Sequence, residues 1–200
     1  DVPPGVLHAP ASLCTYEPQF ASDVYAMYQS VLYYDHCVPE SLLWKNCPDE
    51  EIGNYDYLVD VIDWEKNVDP DFHRNRFMRP LVCRSGEGFV EEWICYKCPI
   101  VGAKRLTVAP GATVTVSDGF AYGMILVQGK GTMNGIKIET PALIRFDELT
   151  NDEFFVSEKA ATAGVTITNV SDTEPVVILK HFAENKELTE IVSRIADRDC

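Results

Sequence analysis

From residue 81 to residue 182 the chain is a succession of short strand-like runs separated by Gly, Pro and Asp. Roughly ten such runs in about a hundred residues are typical of a β-sandwich or barrel of the jelly-roll type. Asn134-Gly135, between two of the runs, is a strong signal for a two-residue hairpin turn. We therefore predict a complete barrel over residues 81–184. The predicted strands are Val90–Tyr96, Lys104–Val108, Thr113–Val116, Met124–Gln128, Gly131–Met133, Lys137–Glu139, Ala142–Phe146, Glu153–Val156, Gly164–Asn169 and Val176–Phe182.

The sequence also predicts helices on both sides of this barrel. Residues 39–44 have the pattern of a short helix, and Asn54 is a plausible N-cap for a second one. In the tail, residues 187–196 place their apolar side chains on one helical face. The predicted fold class is therefore all-β with helical connectors, comprising a helical linker over residues 37–80 and a C-terminal helix within residues 185–200.

The first 36 residues read as two or three further strands: the run to His8, Leu13–Gln19 and Val24–Leu32. So few strands cannot close a barrel or bury two faces of a sheet. Either an upstream segment with the other strands is missing, or these strands complete a sheet in another chain. We favour the first alternative, and expect either a complementing N-terminal segment or a homodimer as partner. Residues 1–36 are thus predicted to be the terminal strands of a first barrel.

Composition narrows the classes of function. The formal net charge of −14 argues against nucleic acid and anionic membranes as partners, since both reward a positive surface. The hydrophobic content of 46% is sufficient for a folded core. Seven irregularly spaced cysteines indicate reduced thiols. With no signal peptide and no apolar run of membrane-spanning length in the sequence, we expect a cytoplasmic protein.

A possible site lies near the start of the sequence. A Pro-Pro-Gly turn precedes His8, and Glu17 follows nine residues later. By two-residue alternation, Glu17 shares one face of a predicted strand with Thr15 and Gln19. An imidazole and a carboxylate facing one cavity are suited to a metal or proton-transfer site. In the simpler alternative, His8 caps a turn and Glu17 faces solvent on an edge strand.

The run Pro4-Gly-Val-Leu-His-Ala9, followed by Glu17-Pro-Gln19 and Ser22-Asp23, resembles the metal-site segment of phosphomannose isomerases of the cupin superfamily. The resemblance covers about thirty residues. It implies that His8 is a metal ligand, that Glu17 is a metal ligand and catalytic carboxylate, and that the cofactor is Zn²⁺ or another divalent metal. The implied activity is aldose–ketose isomerisation of a sugar phosphate, in which a Lewis acid polarises the carbonyl and a base moves a proton.

The rest of the chain resembles this family less closely. The family's remaining ligands would lie upstream of residue 1, and Val24-Tyr-Ala-Met27 stands where the family has a substrate-binding Arg. Residues 81–184 resemble a second cupin barrel, because Pro110-Gly111 followed by Gly129-Lys-Gly131 and Asn134-Gly135 is similar to a cupin first motif. The places of its metal ligands hold Asp118, Phe120 and Tyr122, which implies that this barrel is metal-free. The chain therefore resembles a bicupin remnant. The alternative functions are a non-catalytic carbohydrate-binding or structural cupin, and a cupin oxygenase that uses iron or manganese.

Three arginines, Arg74, Arg76 and Arg79, follow a strongly acidic stretch of the chain. Guanidinium groups are suited to phosphate, so these residues are candidates for binding the sugar phosphate in place of the missing Arg. The alternative is that they neutralise the preceding Asp-rich helix, which is favoured because that negative charge needs compensation in any case.

Overall fold

The structure, a computed structural model, describes residues 1–9, 14–19, 27–31 and 34–196. These residues form two compact units. One unit contains Asp1, Tyr16–Gln19 and the chain from Met78 onward, and the other contains the rest of the first 77 residues. Among the described residues, no helix combines the length and the apolar character needed to cross a membrane.

The strands of the described residues all lie in the first unit and pair only in antiparallel fashion. They are β1 (Leu81–Gly86), β2 (Phe89–Cys95), β3 (Val101–Val108), β4 (Thr113–Val116), β5 (Tyr122–Gln128), β6 (Lys130–Met133), β7 (Ile136–Glu139), β8 (Glu153–Val156), β9 (Val165–Asn169) and β10 (Val176–Ala183). One sheet has the order β1-β2-β3-β10-β5-β8, and the other has the order β4-β9-β6-β7.

This strand order defines a jelly roll. From β3 to β10 the chain crosses repeatedly between the sheets, which leaves β3-β10-β5-β8 facing β4-β9-β6-β7 as two four-stranded halves. The β1–β2 hairpin extends the first sheet to six strands. The described strands thus form antiparallel sheets arranged as a jelly roll, an architecture that cupins also have, and few helices accompany them. This arrangement confirms the predicted fold class.

The strands alternate apolar inward-facing residues with more exposed ones, as expected for half-buried sheets. On β3 and β10, Leu106, Val108 and Ile178 are fully buried. They join side chains of the second sheet, such as Ile138 and Ile167, in one continuous apolar cluster. The even-numbered residues of β3 and β10 therefore face the interior of the jelly roll.

The strand predictions between residues 90 and 182 are confirmed, apart from one. Ala142–Phe146 contains no strand, and Ile144 and Phe146 within it are almost fully exposed. Asn134 and Gly135 both have positive φ, and Met133 pairs with Ile136, so the two-residue hairpin is confirmed. The sequence analysis missed β1, although Gly86-Glu-Gly88 is a plain turn signal after it.

The helices are α1 (Tyr55–Asp60), α2 (Trp64–Asn67), α3 (Phe72–Arg76), α4 (Glu158–Ala163) and α5 (Lys186–Ala196). The predicted N-cap is confirmed, because the Asn54 side chain accepts a hydrogen bond from the Tyr57 backbone N–H. Helix α5 is also as predicted, whereas α4 was not predicted. The helix predicted over residues 39–44 is only a 3₁₀ turn, Glu40–Leu42.

The strands predicted before residue 34 are not found in the described part of that region, which contains only an isolated bridge between Val31 and Cys37. Near the start of the chain, a helical segment takes the place of a neighbouring strand. The Asn67 side chain donates to Gly5 O (2.8 Å) and accepts from Leu7 N (2.9 Å), while Asp63 N donates to Gly5 O (3.0 Å). Residues 10–13, 20–26 and 32–33, which include residue 13 of the second predicted strand and residues 24–26 and 32 of the third, lie outside the described residues.

Candidate functional site

The interior of the jelly roll contains a cluster of charged side chains. Glu91 of β2, Lys104 of β3 and Lys180 of β10 are at most 2% exposed. Each lies on the inward-facing side of its strand, the same side as residues such as Leu106 and Phe182, so strand periodicity directs it into the barrel. Charges so deeply buried are rare unless they are paired.

The charges in this cluster are paired with one another. Lys180 Nζ lies 2.7 Å from Glu91 Oε1 and 2.8 Å from Asp118 Oδ2. Lys104 Nζ lies 3.1 Å from Asp118 Oδ1. Arg84 of β1 donates to both carboxylates, with a distance of 2.7 Å from its Nε to Glu91 Oε2. Asp118, in the connection between β4 and β5, thus joins three cations.

The pairing fixes the ionisation of these groups. Burial raises the pKa of Asp118, but the ammonium groups of Lys180 and Lys104 outweigh it and bring the pKa down to about 2. Burial likewise lowers the pKa of Lys104, yet Asp118 and Glu187 outweigh it and leave the pKa raised. Both groups are therefore charged at neutral pH.

Aromatic rings surround the two lysines. Lys104 Nζ lies 4.5 Å from the centroid of the Trp93 ring and 5.2 Å from that of Phe182, and Lys180 Nζ lies 5.0 Å from that of Tyr122. Such cation–π contacts add to the stabilisation of buried cations. Burial raises the pKa of Tyr122, and the nearby carboxylate of Asp118 raises it further. The Tyr122 hydroxyl makes no hydrogen bond among the described residues.

We refer to the six charged residues in and beside the barrel interior as the charge cluster: Arg84, Glu91, Lys104, Asp118, Lys180 and Glu187.

The sixth member of the charge cluster comes from helix α5. Glu187 accepts from Lys104 Nζ at 2.9 Å and from Trp93 Nε1 at 3.0 Å, and its side chain is 38% exposed. An open cleft of about 330 Å³ lies beside it between β1 and α5. Its walls include Leu81, Val82 and Ile191. The cleft therefore leads from solvent to one end of the charge cluster.

His8 and Glu17, the predicted metal ligands, are both exposed and belong to different compact units. The Nδ1 atom of His8 lies 3.1 Å from Val6 O. If Nδ1 carries the proton, this hydrogen bond leaves Nε2 as the basic nitrogen, which is the arrangement typical of a histidine ligand. Over the described residues, no three or more His, Cys, Asp or Glu side chains are grouped so as to hold a metal ion.

The three predicted anion-binding arginines are divided between the two compact units. Arg74 and Arg76 lie on α3 in one unit, whereas Arg79 lies in the other. Lys66 is the main cause of the lowered pKa of Asp63, and Arg76 contributes to it. Arg76 thus contributes to the electrostatic environment of Asp63.

The sequence analysis placed Asp118 and Tyr122 at ligand positions of a barrel, and both side chains do reach the interior. It missed Glu91, Lys104 and Lys180. The signal for them is a charged residue on the apolar side of an alternating strand: Lys180 stands in line with Val176, Ile178 and Phe182. No short motif marks such a position, since its partners come from distant parts of the chain.

No family model and no curated protein matches the chain. Among solved structures, the jelly roll is similar to an RmlC-like cupin from Shewanella frigidimarina, with 15% identity, 55% of this chain and 87% of that chain covered, and a TM-score of 0.38. It is similar to oxalate decarboxylase from Bacillus subtilis, with 19% identity over 54% of this chain and 28% of that chain, and a TM-score of 0.35. It is also similar to the Cupin_2 domain of an XRE-family transcriptional regulator from Enterobacter cloacae, with 13% identity over 50% of this chain and 100% of that chain, and a TM-score of 0.36.

A fold alone does not define an activity. The chain spans only 28% of the oxalate decarboxylase chain. Because the TM-scores are low, the assignment of the fold rests on the strand order of this chain itself.

Proposed function

We propose that the jelly roll is a non-catalytic barrel whose role is binding or structural support. The observation that carries this proposal is the set of pKa shifts in and beside the charge cluster. General acid–base catalysis works best with a pKa near the working pH. Here the pKa of Asp118 is about 2, and that of Lys104 is raised. Burial, and to a smaller extent the Glu91 carboxylate, raises the pKa of the neighbouring Cys83 thiol to about 11, which keeps the thiol protonated and unreactive.

The histidines support the same conclusion. All four histidines are described residues, and none of them lies in the charge cluster. His181 is on β10, but it occupies the face opposite to Lys180, where it packs against Gly123. Burial lowers its pKa. The inner face of the barrel therefore presents lysines and already paired carboxylates, which is a poor donor set for a metal ion.

A second candidate function is a metal-dependent, sugar-phosphate isomerase-like activity that depends on the N-terminal region. It is favoured by the contact between His8 Nδ1 and Val6 O, which suits Nε2 for coordination. In this proposal His8 and Glu17 would bind Zn²⁺ or another divalent metal, Glu17 would also move a proton, and Arg74, Arg76 and Arg79 would bind the phosphate. The metal would supply Lewis acidity. The remaining ligands would come from a complementing N-terminal segment or a second copy.

One experiment separates the two functions. Full-length chain loaded with Zn²⁺, Mn²⁺ or Co²⁺ is assayed for interconversion of mannose, glucose and fructose phosphates, alongside the His8→Gln and Lys104→Gln variants. Circular dichroism confirms that each variant is folded. Turnover that survives His8→Gln and disappears in folded Lys104→Gln would overturn the non-catalytic assignment of the barrel.

Metal content tests the second candidate directly. We expect His8→Gln to bind less metal than wild type, whereas His36→Gln, which alters another exposed histidine, should bind the same amount. Equal metal content in wild type and His8→Gln would rule out His8 as a ligand. In the same proposal, Arg76→Ala weakens sugar-phosphate binding without unfolding the chain, and an unchanged affinity would contradict that role.

A further inference from the structure

We propose that Lys104 and Trp93 form a binding site for a small organic carboxylate with an apolar body, and that Glu187 of α5 occupies this site in the absence of ligand. The inference rests on the proposed binding role of the barrel and names its ligand class. We call the pair Lys104 Nζ and Trp93 Nε1 the carboxylate site.

The two donors of the carboxylate site belong to the barrel itself. Trp93 of β2 and Lys104 of β3 are directly paired in the sheet, and both are 1% exposed. Each donates to a different oxygen of the same carboxylate, at 3.0 and 2.9 Å. Two converging donors suit the two oxygens of a planar carboxylate. The acceptor, in contrast, is the partly exposed Glu187 of a peripheral helix.

Charge balance shows why a carboxylate is needed at this position. The barrel contributes three cations to the charge cluster, Arg84, Lys104 and Lys180, but only two carboxylates, Glu91 and Asp118. Without Glu187 the cluster would carry one uncompensated positive charge in a largely dry interior, which is strongly unfavourable. A monoanion bound beside Lys104 would restore neutrality as Glu187 does.

The cleft beside the carboxylate site has room for the rest of such a ligand. Its volume of about 330 Å³ is within the usual range for small-molecule sites. Leu81, Val82 and Ile191 on its walls offer apolar contacts, and the ring of Trp93 adds an aromatic one. A ligand carboxylate at Lys104 would place its apolar body against these side chains.

The test uses benzoate as probe and the uncharged benzamide as its control, with binding to the full chain measured by isothermal titration calorimetry. In Glu187→Gln the competing charge is removed, so we expect benzoate to bind about tenfold or more tightly than to wild type. Glu190→Gln is the matched variant, because Glu190 also lines the cleft on α5 but its ion pair is with Arg194. Its affinity for benzoate should equal that of wild type, and benzamide should bind neither variant.

No gain in benzoate affinity in folded Glu187→Gln, or an equal gain in Glu190→Gln, would overturn the proposal. If Glu187→Gln does not fold, the wild-type chain decides. In ¹H–¹⁵N spectra, benzoate but not benzamide should shift the Trp93 indole N–H resonance, assigned with Trp93→Phe. An unmoved resonance would contradict the carboxylate site, yet leave the non-catalytic assignment intact, since that depends on the turnover experiment.

Discussion

Polar side chains perform different tasks in the two compact units. In the unit that contains most of the first 77 residues, Asn54 and Asn67 hold backbone groups of turns and helix ends near the surface. In the jelly roll, the lysines Lys104 and Lys180 and the carboxylates Glu91 and Asp118 are buried and compensate one another. The turn that leads to His8 and the buried charges of the jelly roll therefore belong to different compact units.

The largest expected effect is the removal of a buried cation. Lys180→Met leaves Glu91 and Asp118 without their shared ammonium group, and breaking one side of a buried pair costs about 3–5 kcal/mol. Urea unfolding followed by circular dichroism measures the change in the free energy of unfolding. A loss similar to that of a surface substitution would show that the charge cluster is not tightly coupled to the fold.

Acid should affect the jelly roll through Asp118. Its pKa is about 2 in the folded chain and about 3.9 in an unfolded one. A depressed folded pKa stabilises the protein above the unfolded pKa, and this contribution is lost as the pH falls from about 4 towards 2. The loss amounts to about 2 kcal/mol. Urea titrations across this window should show a steeper decline for wild type than for Asp118→Asn, and parallel declines would contradict the assigned shift.

In the N-terminal region the corresponding test concerns the Pro-Pro-Gly turn. Gly5 and Gly53 both have positive φ, but only at Gly5 would an added Cβ lie 2.9 Å from Asp63. Gly5→Ala should therefore destabilise this region by about 1 kcal/mol more than Gly53→Ala, because overpacking adds to the shared backbone strain. Hydrogen exchange of the amides of α1 and α2 would measure the difference. Equal protection in the two variants would contradict the close approach.

The smallest effect is expected at the surface of the jelly roll. Lys137 and Glu139 form an ion pair on β7, with side chains that are 66% and 40% exposed. Exposed pairs contribute little because water and salt screen them. Lys137→Met should leave the urea midpoint unchanged, which makes it the matched control for Lys180→Met. A clear shift of the midpoint would mean that the contrast between buried and exposed lysines is weaker than proposed.

Local signals in the sequence predicted much of the barrel. Strand periodicity and Asn134-Gly135 depend on residues close in the chain, and both predictions are confirmed. The strands predicted for the first 34 residues are not found in the described part of that region. In the first of them, the side chain of Asn67 hydrogen-bonds to the backbone of Gly5 and Leu7. A contact across 60 or more residues leaves no trace in a local pattern.

The candidate site shows the same limit. Asp118 and Tyr122 were predicted to occupy ligand positions, since the Pro and Gly residues around them resemble a known motif. Nothing local, however, indicated that Asp118 would meet Lys180, which is 62 residues away. The roles of His8 and Glu17 stay predictions, as do those of the three arginines. A charged residue on the apolar side of a strand was the available signal for the charge cluster.

The wide spacing of the buried pairs has a consequence for the rate at which the jelly roll opens. Lys180 and Glu91 are separated by 89 residues, so their contact closes a long loop and should form late in folding. Interactions absent from the folding transition state act mainly on the unfolding rate. The central ion pair should therefore slow spontaneous opening, and thereby protect the barrel against proteases that attack transiently unfolded chains.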